Sequence, residues 1–182
     1  MARDEAKGHA ALRRGRVSVA GARYFLTLCT RDRQPGLTSD AGGRAVQREV
    51  LSMEGESIWR VMALTVMPDH VHVLMELDNR LTLSKAVSRL KAKTALDLRL
   101  AGAGLAWERG FFDHRLRPDD KVAAIVRYIA MNPVRAGLIA EGQAMDWAWL
   151  RLGQEESRWF EWGSVPDEEA VGRPDWLQQS EG

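Results

Sequence analysis

Two apolar runs separated by a turn constrain the fold of this chain most strongly. Residues 60–67 and 71–77 flank a Pro-Asp pair at 68–69, and together they predict a β-hairpin. Successive side chains of a strand point to opposite faces of the sheet, so His70 and His72 share one face, about 6.6 Å apart by two strand rises. The other face of this strand takes apolar residues into the core: Val71, Val73 and Met75.

The segments on either side of the hairpin alternate between strand and helix. The order β-α-β-β-α-β-α is that of a ferredoxin-like α+β fold with an added C-terminal helix. We therefore expect an antiparallel sheet with helices on one face and the other face left for a ligand. Composition and periodicity predict a strand at 23–30, a loop at 32–43, helices at 44–59 and 82–101, a strand at 107–117, and a last helix that begins at 117–120 and is stopped by Pro133.

The charge of the chain is divided unevenly along its length. Its 182 residues include 26 Lys or Arg and 25 Asp or Glu, a formal net charge of +1. Residues 1–140 hold 23 basic and 15 acidic residues, a net charge of +8, whereas residues 141–182 hold 3 and 10, a net charge of −7. This asymmetry predicts a polyanion-binding body at 1–140 and an acidic extension at 141–182.

The acidic extension admits two interpretations. It either keeps the protein in solution or competes with an anionic ligand of the body. Five of the seven tryptophans lie in it, and bulky aromatic residues seldom stay fully exposed, so we expect some of them to pack on the body. These five are Trp147, Trp149, Trp159, Trp162 and Trp176.

The cysteine content and the hydropathy of the chain indicate its cellular location. The single cysteine, Cys29, cannot build a disulfide framework, and the absence of CxxC pairs excludes a cysteine-rich zinc site. The longest apolar stretches are far shorter than the roughly 20 residues that span a bilayer, and no signal peptide is visible. We therefore expect a cytoplasmic protein with no membrane partner.

The last predicted helix places a tyrosine beside polar side chains. Lys121, Tyr128 and Asn132 lie together, about 100° from the centre of the apolar stripe and at its edge. A phenolic oxygen beside a cationic centre is a candidate nucleophile, because positive charge stabilises the phenolate. The alternative is a core-edge tyrosine with its hydroxyl in water, just as two histidines on a strand are also compatible with a plain surface. The stripe consists of Val122, Ile125, Val126 and Ile129.

Four stretches in this order resemble the REP-associated tyrosine transposases, a branch of the single-tyrosine HUH transposases (His, hydrophobic, His). The resemblance covers about residues 13–138 and implies that residues 1–140 are an HUH catalytic domain with a basic N-terminal arm. The stretches are Tyr24-Phe25-Leu26-Thr27-Leu28-Cys29-Thr30, Met67-Pro68-Asp69-His70-Val71-His72, Trp107 with Phe111-Phe112-Asp113-His114, and Tyr128-Ile129-Ala130-Met131-Asn132-Pro133-Val134-Arg135-Ala136-Gly137-Leu138.

By position, the resemblance implies that Tyr128 is the nucleophile and that His70, His72 and Asn132 hold a divalent metal ion. Imidazole ligands alone favour zinc, whereas phosphate chemistry and the family favour Mg2+ or Mn2+. The implied reaction is cleavage and rejoining of single-stranded or hairpin DNA through a covalent 5′-phosphotyrosine. Related transposases work as dimers or as monomers, and we expect a monomer here, with a homodimer as the alternative.

Two other functions stay open at this point. One is a domesticated protein that binds hairpin DNA without robust nuclease activity. The other is a metal-dependent hydrolase that uses water as its nucleophile. His114 is also ambiguous, because it is either a supporting hydrogen-bond donor, a phosphate contact or a structural residue.

Basic residues on several segments are candidate phosphate contacts. On the second predicted helix, Lys85, Arg89 and Lys93 follow one another at i+4 spacing and form a positive ridge, which is alternatively a solvated helix face. The others lie in the N-terminal arm, at the predicted helix or beside the predicted site: Arg13, Arg14, Arg16, Arg115, Arg117, Lys121 and Arg135.

Overall fold

The structure is a computed structural model that describes residues 18–99, 104–161 and 176. Its strands are β1 (Arg23–Cys29), β2 (Trp59–Val66), β3 (His70–Leu77), β4 (Phe112–Arg115) and β5 (Leu150–Leu152). Its helices are α1 (Asp40–Gly55), α2 (Leu83–Leu98), α3 (Val122–Ala130), the short α4 (Asn132–Arg135) and α5 (Gln154–Glu161). Two 3-10 segments lie at Arg31–Arg33 and Glu141–Asp146. None of the helices within these described ranges is long and apolar enough to cross a bilayer.

The strands form one antiparallel sheet in the order β4-β1-β3-β2-β5. The predicted hairpin is β2 and β3, and its turn is closed by the Met67 N–H, which donates to the carbonyl of His70 at 2.8 Å. β1 pairs with β3 so that Thr27 lies opposite His72 and Cys29 opposite His70. The predicted α+β fold with an antiparallel sheet is confirmed, and β5 extends the sheet beyond β2.

Helices α1 and α2 pack on one face of the sheet, which we call the helix face. Its core is mainly aliphatic and includes β3 residues at alternate positions, as the hairpin pattern predicts. Side-chain caps begin both helices: the Ser39 hydroxyl accepts from the N–H of Gly42, and the Thr82 hydroxyl accepts from that of Lys85. The buried apolar residues of α1 and α2 include Val46, Val50, Met53, Val87 and Leu90.

Helix α3 packs on the opposite face, which we call the tyrosine face. The sequence predicted that this face is left for a ligand, but α3 covers part of it because its own apolar stripe needs burial. The cluster beneath the helix joins residues of three strands to the stripe: Phe25, Met62, Ala63, Leu74, Ile125, Val126, Tyr128 and Ile129.

Several element boundaries differ from the sequence prediction. The helix predicted at 44–59 ends at Gly55, and Trp59 begins β2 instead. Helix α3 ends at Ala130, and Pro133 lies in the first turn of α4. α1 begins at Asp40 rather than at 44, because Ser39 caps it. The strand predicted at 107–117 shortens to β4, and Trp107 makes only an isolated bridge to Thr30. The last helix begins at Val122 because the Asp120 carboxylate accepts the backbone N–H of Arg117, at 2.7 Å, in a turn before the helix.

Several tryptophans beyond residue 140 pack on the rest of the chain, as expected. The Trp147 indole donates to the Val66 carbonyl at 3.2 Å. The Trp149 ring packs against α1 at Gly43, where an added Cβ would lie 2.5 Å from the indole. Trp176 packs against the cluster of the tyrosine face. The side chain of Trp159 and all of Trp162 lie outside the described part of the chain, and the division of the chain at residue 140 stays a prediction.

Candidate active site

The two histidines at the start of β3 lie side by side on the tyrosine face. The ring centroids of His70 and His72 are 4.6 Å apart, and the ring planes meet at 72°. His72 is fully buried and His70 is partly exposed. The alternation predicted for this strand therefore brings the two imidazoles together at an accessible end of the hairpin.

A hydrogen bond engages Nδ1 of each imidazole. Thr27 lies opposite His72 in the sheet, and its Oγ1 is 2.9 Å from Nδ1 of that ring. His70 Nδ1 donates to Oδ1 of Asp69 at 2.6 Å. This hydrogen bond from His70 is the main reason why the pKa of the Asp69 carboxyl is lower than its ordinary value. A ligand of either ring therefore binds through Nε2, and Thr27 and Asp69 hold the rings in orientation.

This donor set fits a divalent ion held by two imidazoles and at least one oxygen ligand. Among the residues that the structure describes, no three His, Cys, Asp or Glu side chains cluster as a metal site. A metal ion held by this histidine pair would therefore need a further ligand of another type, such as an amide or hydroxyl oxygen. Asn132, the predicted third ligand, is buried at the start of α4, and its role as a ligand stays a prediction.

Tyr128 lies in the cluster between α3 and the sheet. Its ring centroid is 5.6 Å from that of His72 and 6.0 Å from that of Phe25. The residue is 0% exposed, whereas the sequence allowed a tyrosine at the edge of the stripe with its hydroxyl in water. The reason is that Tyr128 is one helical turn from Ile125 and next to Ile129, so the buried stripe extends around it. A ligand reaches Tyr128 only when groups packed over it move.

Arg135 contacts both the ring and the backbone of Tyr128. The guanidinium carbon is 4.1 Å from the centroid of the phenol ring, and Nη2 donates to the Tyr128 carbonyl oxygen at 2.5 Å. The turn of α4, which starts with Asn132 and Pro133, returns the chain so that Arg135 reaches back to α3. A cation over the ring face stabilises the ring in this position.

The basic ridge predicted on α2 lies away from these side chains. Lys85 and Lys93 are exposed, and the Arg89 guanidinium pairs with the carboxylates of Glu49 and Glu56. Because α2 packs on the helix face, the structure does not bring the ridge to Tyr128. Its role in DNA binding stays a prediction. The predicted basic residues of the N-terminal arm, Arg13, Arg14 and Arg16, lie outside the described residues.

Three other predicted basic residues lie on the segment that leads from β4 into α3. Arg115 ends β4, Arg117 follows it, and Lys121 occupies the N-cap position of α3. All three are exposed. Arg117 and Lys121 therefore lie beside the start of the helix that carries Tyr128, whereas Arg115 is paired with Tyr24 and projects from the helix face. Lys121 does not share the buried position of Tyr128.

Sequence reasoning missed a group of contacts around His114. Its Nε2 donates to Oδ2 of Asp120 at 2.9 Å, and its ring stacks on the Trp176 indole with centroids 3.8 Å apart and an interplanar angle of 10°. Trp176 in turn donates to Oδ1 of Asp120 at 3.2 Å and lies 5.4 Å from the Phe25 ring. Trp176 is far from the other partners in the sequence, and no local pattern links it to them.

A histidine pair on the sheet and a tyrosine on the helix packed against it suggest a nuclease or transposase class of protein. Comparison with known protein families agrees with this. The family model described as "Transposase IS200 like" matches residues 18–132, which include His70, His72, Tyr128 and Asn132. The match covers more than half of the chain, and the chain therefore belongs to the IS200-like transposase family.

Two proteins similar to this chain are both described as REP-associated tyrosine transposases. A Haemophilus influenzae protein described as a REP-associated tyrosine transposase is 24% identical over 163 residues, which cover 81% of this chain and 90% of the relative. A solved structure of a REP-associated tyrosine transposase bound to a REP hairpin has a TM-score of 0.62 and 22% identity, and the match covers 87% of this chain and 95% of that one. The similarity to this solved structure shows that the two chains share a fold.

Proposed function

We propose that this protein is a metal-dependent endonuclease and strand transferase that cleaves single-stranded DNA at a hairpin through a covalent bond to Tyr128. The observation that carries the proposal is the adjacency of the His70, His72 and Tyr128 rings on one sheet face. Two ordered imidazoles beside a buried phenol are the parts that metal-assisted transesterification needs. Membership of a transposase family supports the same chemistry.

A divalent metal ion would be held by His70 and His72 through Nε2 and by the Asn132 amide oxygen. Mg2+ or Mn2+ bound there would supply Lewis-acid stabilisation of charge on the scissile phosphate. Thr27 and Asp69 keep the imidazoles oriented, so the ligands need little reorganisation. Arg135 holds the Tyr128 ring and adds a fixed positive charge close to the phosphate that the phenol attacks.

The reaction exchanges one phosphodiester bond for another. After the groups packed over Tyr128 move and DNA enters, the Tyr128 hydroxyl loses its proton to water, and the phenolate oxygen attacks phosphorus. The bond from phosphorus to the 3′-oxygen breaks, and that oxygen takes up a proton. The product is a 5′-phosphotyrosine and a free 3′-hydroxyl, and a later 3′-hydroxyl can reverse the step without ATP because the ester bond is conserved.

The proposed substrate is a DNA hairpin with a single-stranded flank. A REP-associated transposase of similar fold binds a REP hairpin, and residues 1–140 of this chain carry a net charge of +8. Exposed Arg117 and Lys121 border the helix that carries Tyr128 and provide phosphate contacts on the way to it, whereas Arg115 lies on the other face of the sheet. The protein acts as a monomer in this proposal, since His70, His72 and Tyr128 all come from one chain.

The experiment is to incubate the purified full-length protein with hairpins from its host's intergenic repeats, labelled separately at the 5′ and 3′ ends, in Mg2+ or Mn2+. The proposal expects an SDS-resistant adduct that retains only the 3′ label. A free 5′-phosphate without an adduct would instead favour a hydrolase that uses water. Tight binding with no product in either metal would favour a hairpin-binding protein without nuclease activity.

A further inference from the structure

The Trp176 indole occupies a slot whose shape and polarity match those of a nucleobase. One side of the slot is the His114 ring, on which the indole stacks in parallel at 3.8 Å. The Phe25 ring lies 5.4 Å from the indole at a tilt of 59° and forms a second wall. A planar aromatic group thus finds a stacking partner and an apolar wall, which is how single-stranded nucleic acid bases are usually held.

The edge of the slot carries one hydrogen-bond acceptor. The Asp120 Oδ1 accepts from the Trp176 indole N–H at 3.2 Å, while Oδ2 accepts from His114 and from the backbone N–H of Arg117. Oδ2 is therefore committed to the protein, and Oδ1 is the atom offered to the group in the slot. A carboxylate oxygen in this position accepts equally from an exocyclic amino group of a base.

The Asp120 side chain stays ionised in this arrangement. Its burial raises the pKa, but hydrogen bonds from the Arg117 backbone, His114 and Trp176 outweigh burial and leave the pKa below its ordinary value. An ionised carboxylate is an acceptor only, and it also fixes the His114 ring through Oδ2. The two hydrogen bonds to Oδ2, from His114 and from the Arg117 N–H, do not involve the occupant of the slot.

The slot is adjacent to the proposed nucleophile. The Phe25 ring that forms its wall also contacts the Tyr128 ring, with centroids 6.0 Å apart, and the His72 ring, at 5.3 Å. Exposed Arg117 and Lys121 lie close to Asp120 in the chain. A nucleotide with its base in the slot would therefore have cations near its phosphates and Tyr128 one aromatic ring away.

We propose that the slot between His114, Phe25 and Asp120 binds an unpaired nucleobase of the single-stranded flank next to the cleaved phosphate, and that Trp176 fills it when DNA is absent. This inference rests on the proposed function, because it assigns a subsite of the same DNA. The base stacks on His114 and donates an N–H to Asp120, and Trp176 leaves the slot when the base enters.

The test measures binding without cleavage, in EDTA, so that it does not depend on the activity of Tyr128. Two end-labelled oligonucleotides of equal length differ at one position of the flank, which carries either 2-aminopurine or an abasic site. Dissociation constants come from anisotropy, and 2-aminopurine fluorescence reports stacking. Full-length wild type and Trp176→Ala are compared, and His114→Ala and His114→Phe are each added to Trp176→Ala.

The proposal expects Trp176→Ala to bind the base-bearing strand about 5- to 100-fold more tightly than the abasic strand, as base stacking on one aromatic ring predicts. Wild type should show a smaller preference, because the base competes with Trp176. His114→Ala should remove the preference and the fluorescence quenching, whereas His114→Phe, which keeps a stacking ring, should retain them.

Equal binding of both strands by the Trp176→Ala protein would contradict the proposed nucleobase slot. A preference for the base-bearing strand that persists after His114→Ala is added would contradict it as well. A circular dichroism spectrum and unfolding midpoint for each variant show that the protein is folded. The adduct assay with wild-type protein, run in parallel with Mn2+, reports on the proposed function by itself. If the binding test contradicted the slot while the wild-type protein still formed the adduct, the nucleobase slot would be rejected and the proposed function would stand.

Discussion

The helix face and the tyrosine face of the sheet are built in different ways. The helix face is a mainly aliphatic core, with Tyr24, Trp59 and Trp107 spread through it, in which two capped helices cover alternate residues of the strands. On the tyrosine face, rings from four separate segments meet: Phe25, His70 with His72, Tyr128 and Trp176. Hydrophobic burial on the first face specifies the fold, and the second face uses that scaffold to hold polar aromatic groups in fixed contact.

The two tyrosines of the chain lie on different faces, and they allow the same substitution to be made on each face. Tyr128→Phe removes the proposed nucleophilic oxygen and should lower the rate of adduct formation by about 10³-fold or more, measured with labelled hairpin DNA in Mn2+. Tyr24→Phe makes the same chemical change on the helix face, where the hydroxyl accepts the Val19 N–H at 2.9 Å. That control should cost some stability, of order 1 kcal/mol, and keep the adduct. Equal rates for wild type and Tyr128→Phe would remove the catalytic assignment.

Thr27 tests whether the hydrogen bond to His72 orients a metal ligand. Thr27→Val removes that hydroxyl and should weaken Mn2+ binding or activity by about 10- to 100-fold, as measured by metal titration of the cleavage rate. Thr65 lies opposite His72 on β2, and its buried hydroxyl has no hydrogen-bond partner among the described residues. Thr65→Val is therefore a matched control that should leave the titration unchanged. If both variants behaved alike, Thr27 would be a packing residue only.

The contact between the helix face and Trp149 is a test of stability alone. Gly43→Ala would place a Cβ 2.5 Å from the indole and should lower the free energy of unfolding by about 1–3 kcal/mol in urea. Gly55→Ala, at the end of the same helix with nothing within 4 Å, should change it by no more than about 0.5 kcal/mol. Cleavage by both folded proteins should match wild type, and a selective loss of activity in Gly43→Ala would contradict the separation of the two faces.

We expect the smallest of these effects from Asp120. The pH dependence of its contribution to stability tests a hydrogen-bonded contact on the tyrosine face. Because its pKa is lowered in the folded protein, the ionised carboxylate stabilises the fold above the unfolded value of about 3.9. This contribution is lost as the pH falls through the folded-state pKa. Asp120→Asn should therefore lower stability at pH 7, and its difference from wild type should shrink below about pH 4. The exposed neighbour Asp119 provides the control, and Asp119→Asn should show a smaller difference at pH 7.

The sequence predicted those parts of the molecule that depend on local patterns. The hairpin, the shared face of His70 and His72 and the helix that carries Tyr128 all follow from periodicities of two or 3.6 residues and from turn residues. The family match at 18–132 agrees with the recognition of the motifs. Local pattern is sufficient here because each motif lies within one element.

Contacts between distant segments could not be predicted in the same way. The pairing of Thr27 with His72 depends on the register of two strands, and the stacking of Trp176 on His114 joins residues 62 positions apart in the sequence. The burial of Tyr128 depends on how α3 settles on Phe25. Each is decided by tertiary packing, which a single sequence does not display.

Locating the covalent bond in the protein–DNA adduct tests most directly whether Tyr128 is the nucleophile. The adduct formed by full-length protein with hairpin DNA in Mn2+ is digested, and the peptide that carries the 5′-phosphonucleotide is sequenced by mass spectrometry. The chain has two tyrosines, one on each face of the sheet. We expect the modification on Tyr128 alone. A modified Tyr24, or strand cleavage with no modified tyrosine at all, would contradict the assignment of the tyrosine face as the catalytic centre.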